Sequence, residues 1–260
     1  MLDISFSYGD LEYFLLVVMR VSAFVFVAPF FSARGIPNMV KVAISLFTAS
    51  AIFMTIRPDP VYYNSVFGYL VMVIKELMTG FIIAFSALLC MQIGAFAGQI
   101  VDMMTGLSMV SVMDPGSSQQ VTISGVLYQQ FLMVTLIISG MYRFLLDALA
   151  DSFVLIPVSG MVPHSHLMLG TIVEFMKDYM VIGFRITLPV FIVTFSVNMI
   201  LGILAKVSPQ LNMFAVGIQI KILVGLFILF TTSFMLSGVS EFVFDRMREL
   251  MTQFASSISP

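Results

Sequence analysis

The chain has 260 residues, 60% of them hydrophobic and only 10% charged, with 12 basic against 14 acidic side chains and a net charge of -2. Soluble domains carry about 25% charged residues, so this composition specifies an integral membrane protein or a subunit buried in one. The near-neutral balance excludes a nucleic-acid-binding surface, and Cys90, the single cysteine, excludes a disulfide within the chain.

Met1 to Asp10 contains Asp3 and Asp10 and no basic residue. A secretory signal peptide opens on positive charge, so the first apolar segment is expected to stay on the protein. Residues 11–31 read as the first helix, with Arg20 near its middle and Pro29 ending or kinking it. An arginine at a bilayer centre costs about 2.5–3.5 kcal/mol, so Arg20 needs an acidic partner or a place away from lipid. The next helix, 41–56, opens on Lys41, is short for a crossing of about 20 residues, and stops at Arg57-Pro58-Asp59-Pro60. A third helix starts near Ser65 and runs past Gly98, longer than one crossing, which predicts a kink or a protrusion.

The central stretch is 75–122. Lys75-Glu76 opens it, and no charge follows until Asp102. Gly94, Gly98, Asp102 and Gly106 are spaced by four, which stacks them along one slowly drifting helical stripe. Glycines on an apolar helix let another backbone come close. Asp102 on that stripe must face protein or water, and a cation such as Arg20 is one partner for it. Leu107, Met109, Val110, Val112 and Met113 then supply apolar bulk ahead of the turn-forming Asp114-Pro115-Gly116-Ser117-Ser118-Gln119-Gln120. No ladder of backbone bonds is expected here. Polar backbone at membrane depth is tolerated only inside protein or along a water path; the plainer alternative is a packed span followed by a surface loop.

Residues 123–142 read as an uncharged span, followed by Arg143, Asp147 and Asp151 on one helical face, suited to ion pairs or capping. His164 and His166 lie in a Pro/Gly loop with no Cys, Asp or Glu within reach, so no metal site is expected. Residues 168–178 are amphipathic. Two further spans, about 179–205 and 213–240, flank a hairpin tip with Lys206, Ser208, Pro209, Gln210, Asn212 and Phe214, and with Gly217 and Lys221 beyond it. The tail 241–260 is amphipathic and expected outside the membrane. Lysines and arginines at 34, 41, 206 and 221 place their loops in the cytoplasm, and six helices then leave both termini on the other side.

Arg20, Lys75, Glu76, Asp102, Arg185, Lys206 and Lys221 all lie in or at the ends of apolar segments. At about 3 kcal/mol each, exposing all of them to lipid is prohibitive, so other subunits are expected to bury them.

The chain resembles the FliR family of flagellar export-apparatus proteins. The resemblance is carried by Arg20, Pro29-Phe30, Arg34-x-x-Pro37-x-x-x-Lys41, Lys75-Glu76, Gly80, Gly98, Gly106-Leu107-Ser108, Asp114-Pro115-Gly116, Pro209-Gln210-Leu211, Phe214 and Gly217, and covers nearly the whole chain. Met104 departs from it, standing where the family pattern has glutamine, so no polar contact is carried over to that position. The resemblance implies an all-α membrane fold of kinked helical hairpins, a FliP-like part (1–178) fused to a FliQ-like hairpin (179–240) within one subunit, 1–260. It implies assembly with FliP-like and FliQ-like subunits, contact with FlhB-like and FlhA-like export components, and a place in the inner membrane within the flagellar basal body. Unfolded flagellar proteins are the implied cargo, and the loop from about Gly106 to Thr122, including Ser117, the implied plug of the pore.

Three function classes follow: a passive gate for polypeptide export, a secondary transporter of a small solute or ion, and an intramembrane enzyme. A transporter calls for inverted repeats and broken helices meeting at the midplane, and no convincing repeat is present. An enzyme calls for a Ser-His or His-Glu constellation, and the two histidines sit together in a loop. No Walker-type phosphate loop occurs, so a gate would take its energy from elsewhere. No catalytic residue, cofactor or metal ligand is assigned.

Overall fold

Long uncharged runs separated by Pro/Gly breakers fold as helices. The computed structural model describes residues 8–33, 35–55, 63, 65–110, 112–113, 120–208 and 213–260. Eight α-helices lie among them: α1 Tyr8–Val27, α2 Asn38–Thr55, α3 Val66–Thr105, α4 Ile123–Ile138, α5 Met141–Leu155, α6 Ser165–Val207, α7 Met213–Thr232 and α8 Leu236–Ser257. The fold is all-α apart from a minimal antiparallel hairpin in which β1, Val112–Met113, pairs with β2, Gln120–Val121.

The sequence predicts six crossings. Among the described residues, four helical segments are long and apolar enough to cross a membrane, Asn38–Thr55, Val66–Thr105, Ser165–Val207 and Val216–Ser257, with α4 and α5 as a bent fifth. Helix α1, with Asp10, Glu12 and Arg20 in 20 residues, is outside that set. The expected uncharged span 123–142 is broken at Ser139–Gly140, where Gly140 takes a left-handed φ of 73° and the chain bends by 74°. A placement of the termini that relies on six crossings loses its basis. Helix α6 is continuous over 43 residues and carries Pro189 inside it.

The helices form two compact units. The first comprises residues 1–89, 140–175 and 246–260. In it α1 packs on α2 through Phe53, whose ring meets those of Tyr13 and Phe14. Leu16, Phe24, Ile83, Leu145 and Leu149 are fully buried there, and α8 adds Met247, Leu250 and Phe254 at helical spacing. At the end of α8, Ile258 O and Ser257 O accept hydrogen bonds from the backbone N–H groups of Val162 and His164 respectively.

The second unit comprises 90–139 and 176–245. Its core gathers Ala97, Val101, Leu107, Tyr128, Val190 and Ile228. Helices α3 and α4 cross almost in backbone contact: a Cβ at Gly98 would lie 2.3 Å from Gly125 N and 2.4 Å from its Cα. Two facing glycines are what that approach requires. Gly98→Ala should therefore destabilise the protein by about 1–3 kcal/mol through forced separation of the helices. Gly202→Ala, where a Cβ meets nothing within 4 Å, should be neutral or stabilising, since alanine is the better helix former. Thermal unfolding in detergent checks both, and equal effects would contradict the close-packing account.

Candidate functional site

Two buried polar centres stand out, one in each unit. In the first, the Arg20 side chain is wholly removed from solvent, as is that of Glu76. The pair is bidentate, with Arg20 Nε donating to Glu76 Oε2 at 2.6 Å and Nη2 donating to Oε1 at 3.1 Å. Arg20 Nη1 donates to Ser152 O at 3.0 Å and to Ile156 O at 2.9 Å. Those carbonyls end α5, so α1 provides the cap that helix termini need. The guanidinium also lies 4.2 Å from the centre of the Phe153 ring. Glu76 Oε1 accepts a further bond from Ser159 N–H at 2.7 Å, in a turn where Ser159 has φ 68°. Lys75 Nζ reaches Ser159 O at 3.4 Å. Gly80 makes room for the assembly, because a Cβ there would sit 2.2 Å from the Arg20 carbonyl oxygen.

In the second centre, Asp102 is fully buried and pairs with no cation among the described residues. Its Oδ2 accepts from Ser124 N–H at 2.9 Å, and its Oδ1 accepts from the Ser124 hydroxyl. The pairing of Asp102 with Arg20 that the sequence allowed is thus corrected: each has another partner. The stripe is shortened as well. Gly94 lies against Leu132 and Gly98 against Gly125, but Gly106 ends α3 with φ 84° and does not continue the stripe.

The loop that follows carries Leu107, which is buried, in a short 3₁₀ turn, Leu107–Val110, that includes Met109 and Val110. Val112 and Met113 form β1 and pair with Val121 and Gln120. A backbone ladder therefore exists where none was expected; β-branched valines on both strands favour it. Asp114, Pro115, Gly116 and Ser117 lie outside the described residues. At the hairpin tip, Lys206 closes α6, Phe214, Gly217 and Lys221 lie in α7, and Pro209, Gln210 and Asn212 lie outside the described residues.

Of the seven ionisable residues expected to need other subunits, Arg20, Glu76 and Asp102 are satisfied within the chain, whereas Arg185 and Lys206 are exposed. Arg185 lies over the Phe242 ring. Sequence reasoning missed Ser152, Ser159 and Ser124, whose contributions are mostly backbone groups. The usable signal was positional: Ser124 stands in the first turn of a helix, where N–H groups seek an acceptor.

Glu76→Gln should leave the Arg20 charge buried and unpaired, at a cost of about 3–5 kcal/mol. The expected outcome is severe loss of folded chain from detergent extracts. Glu76→Gln at wild-type yield and melting temperature would show the ion pair to be dispensable.

Known proteins place this architecture in a family. The model for bacterial export proteins, family 1, matches residues 11–247. The flagellar biosynthetic protein FliR of Bacillus subtilis is 28% identical over 241 residues, covering 92% of each chain. FliR of Aquifex aeolicus is 28% identical over 217 residues, 83% of each chain. The surface presentation of antigens protein SpaR of Shigella flexneri is 25% identical over 237 residues, 89% of this chain and 91% of its own. With a family match across most of its helices, the chain belongs to the bacterial export proteins, family 1, as a membrane protein of the FliR family.

Proposed function

We propose that this protein is a core subunit of the flagellar type III export gate in the bacterial inner membrane, within the flagellar basal body. In this role it forms, with FliP-like and FliQ-like subunits, a passage for unfolded flagellar proteins, next to FlhB-like and FlhA-like components. The FliP-like part is 1–178 and the FliQ-like hairpin 179–240, with 241–260 as its amphipathic tail and the tip near Lys206 on the cytoplasmic side. No catalytic step is assigned to it.

One observation supports the assembly most directly. Helix α6 exposes large apolar side chains along its whole length, from Leu167 through Phe184 and Phe195 to Val207. At 1.5 Å per residue its 43 residues extend about 65 Å. A hydrocarbon core of about 30 Å covers such a rod for only ~40 Å even at a 40° tilt. The remaining apolar surface calls for protein neighbours.

In the same reading, the segment 106–122 closes the passage at rest. Apolar side chains seal a constriction by excluding water, and Leu107, Met109, Val110, Val112 and Met113 supply them. The β1–β2 ladder is short enough to be displaced as a unit.

The test is copurification followed by conductance. Tagged protein should extract with other membrane subunits in fixed ratio, and deletion of residues 109–118 should leave that ratio intact while raising resting leakage of ions and small solutes. A stable, monodisperse monomer that extracts alone would refute the assembly. An intact complex with wild-type conductance after the deletion would refute the plug.

A further inference from the structure

Helix α4 begins without the cap its own sequence offers. Thr122 stands at the N-cap with φ -95° and ψ 151°, yet its side chain makes no capping bond. Its Oγ1 is buried and, among the described residues, has no hydrogen-bond partner. A helix N-terminus presents unpaired N–H groups and favours negative charge. Both needs are met by another helix. Asp102, on the last turn of α3, accepts from the Ser124 backbone N–H and from the Ser124 hydroxyl, and both residues are fully buried. One carboxylate thereby ties the end of α3 to the start of α4 across 22 residues of sequence.

The packing around this contact fixes its register. Gly98, one turn before Asp102, abuts Ser124 and Gly125 so closely that a Cβ would fall 2.5 Å from Ser124 C. Thr105, the last residue of α3, fills the space that a Cβ at Gly225 of α7 would take, at 2.5 Å. The base of the 106–122 segment is thus held from both its α3 and its α4 side. The exit at Gly106 is different: its φ is 84° and a Cβ there would meet nothing within 4 Å.

We infer that Asp102 and Ser124 are positioning residues for the export passage: their clasp closes the base of segment 106–122 and fixes where that segment is presented. What the segment does at the passage rests on the gate function proposed above; the clasp itself does not. Asp102 is thereby a helix cap supplied in trans, and Ser124 its receptor.

The test uses the assembled complex, with hydrogen exchange of the peptide covering 122–128 and resting conductance read on the same variants. Ser124→Ala removes the hydroxyl donor and keeps the backbone donor; Asp102→Ala removes both acceptor oxygens; Ser124→Thr keeps both donors. Loss of a helix cap should speed exchange of this peptide roughly fivefold. The expected order, in exchange and in conductance, is wild type equal to Ser124→Thr, then Ser124→Ala, then Asp102→Ala. If Asp102→Ala does not assemble, Ser124→Ala decides alone. Exchange at the wild-type rate overturns the clasp, even if deletion of 109–118 opens the passage. Faster exchange with conductance unchanged in these variants but raised by the deletion overturns the positioning role. Faster exchange with conductance unchanged in the variants and in the deletion supports the clasp and removes the gate function of the segment.

Discussion

Arg20 carries a permanent charge and five N–H donors into a place without solvent. Stripping an ion of water costs several kcal/mol even after relaxation, so the site must return nearly every bond that water gave. It does so from two segments at once: the carboxylate of Glu76 on α3, and the carbonyls of Ser152 and Ile156 at the end of α5. Each of those groups had its own need. Glu76 required a cation, and the end of α5 required donors for its last carbonyls. Removing Glu76 leaves the guanidinium without its countercharge, and removing Arg20 leaves Glu76 with the Ser159 N–H alone, whereas Ser152 O keeps the Ile156 N–H. Gly80 belongs to the same constraint, since any side chain there would strike the Arg20 carbonyl.

The second unit solves a similar difficulty without a cation. Asp102 is stabilised by two hydrogen bonds and by the positive end of α4, a field of oriented N–H groups in place of a countercharge. The two centres bury a carboxyl group in two ways: Glu76 against an opposite charge, and Asp102 against a helix terminus.

How far the sequence exposes these centres depends on whether the partner is a side chain. The membrane class, the helical fold and the tight approach at Gly98 are readable from uncharged run length and from spacing by four. That Arg20 required an acid was also readable, but Glu76 and Asp102 satisfy the same rule, and composition cannot choose between two carboxylates. The choice was made by Gly80, which brings α3 against α1 close to Glu76. The bonds to Ser152 O, Ile156 O and Ser159 N involve main-chain atoms that every residue possesses, and so leave no trace in residue type. The break at Ser139–Gly140 leaves little mark in the sequence, because a serine and a glycine inside an apolar run cost little hydropathy. Helix α1 differs for the opposite reason: Asp10, Glu12 and Arg20 in 20 residues set it apart from the other apolar helices.

The sequence separation of the Arg20 contacts has a consequence for biosynthesis. Glu76 follows Arg20 by 56 residues and Ser152 by 132. At a synthesis rate of about 5–20 residues per second, Arg20 is made roughly 3–11 s before Glu76 and roughly 7–26 s before Ser152. Until Glu76 is made the guanidinium has none of its eventual partners. A first helix that enters lipid in this condition carries an unpaired guanidinium, at a cost of about 2.5–3.5 kcal/mol, which the arrival of α3 with Glu76 relieves.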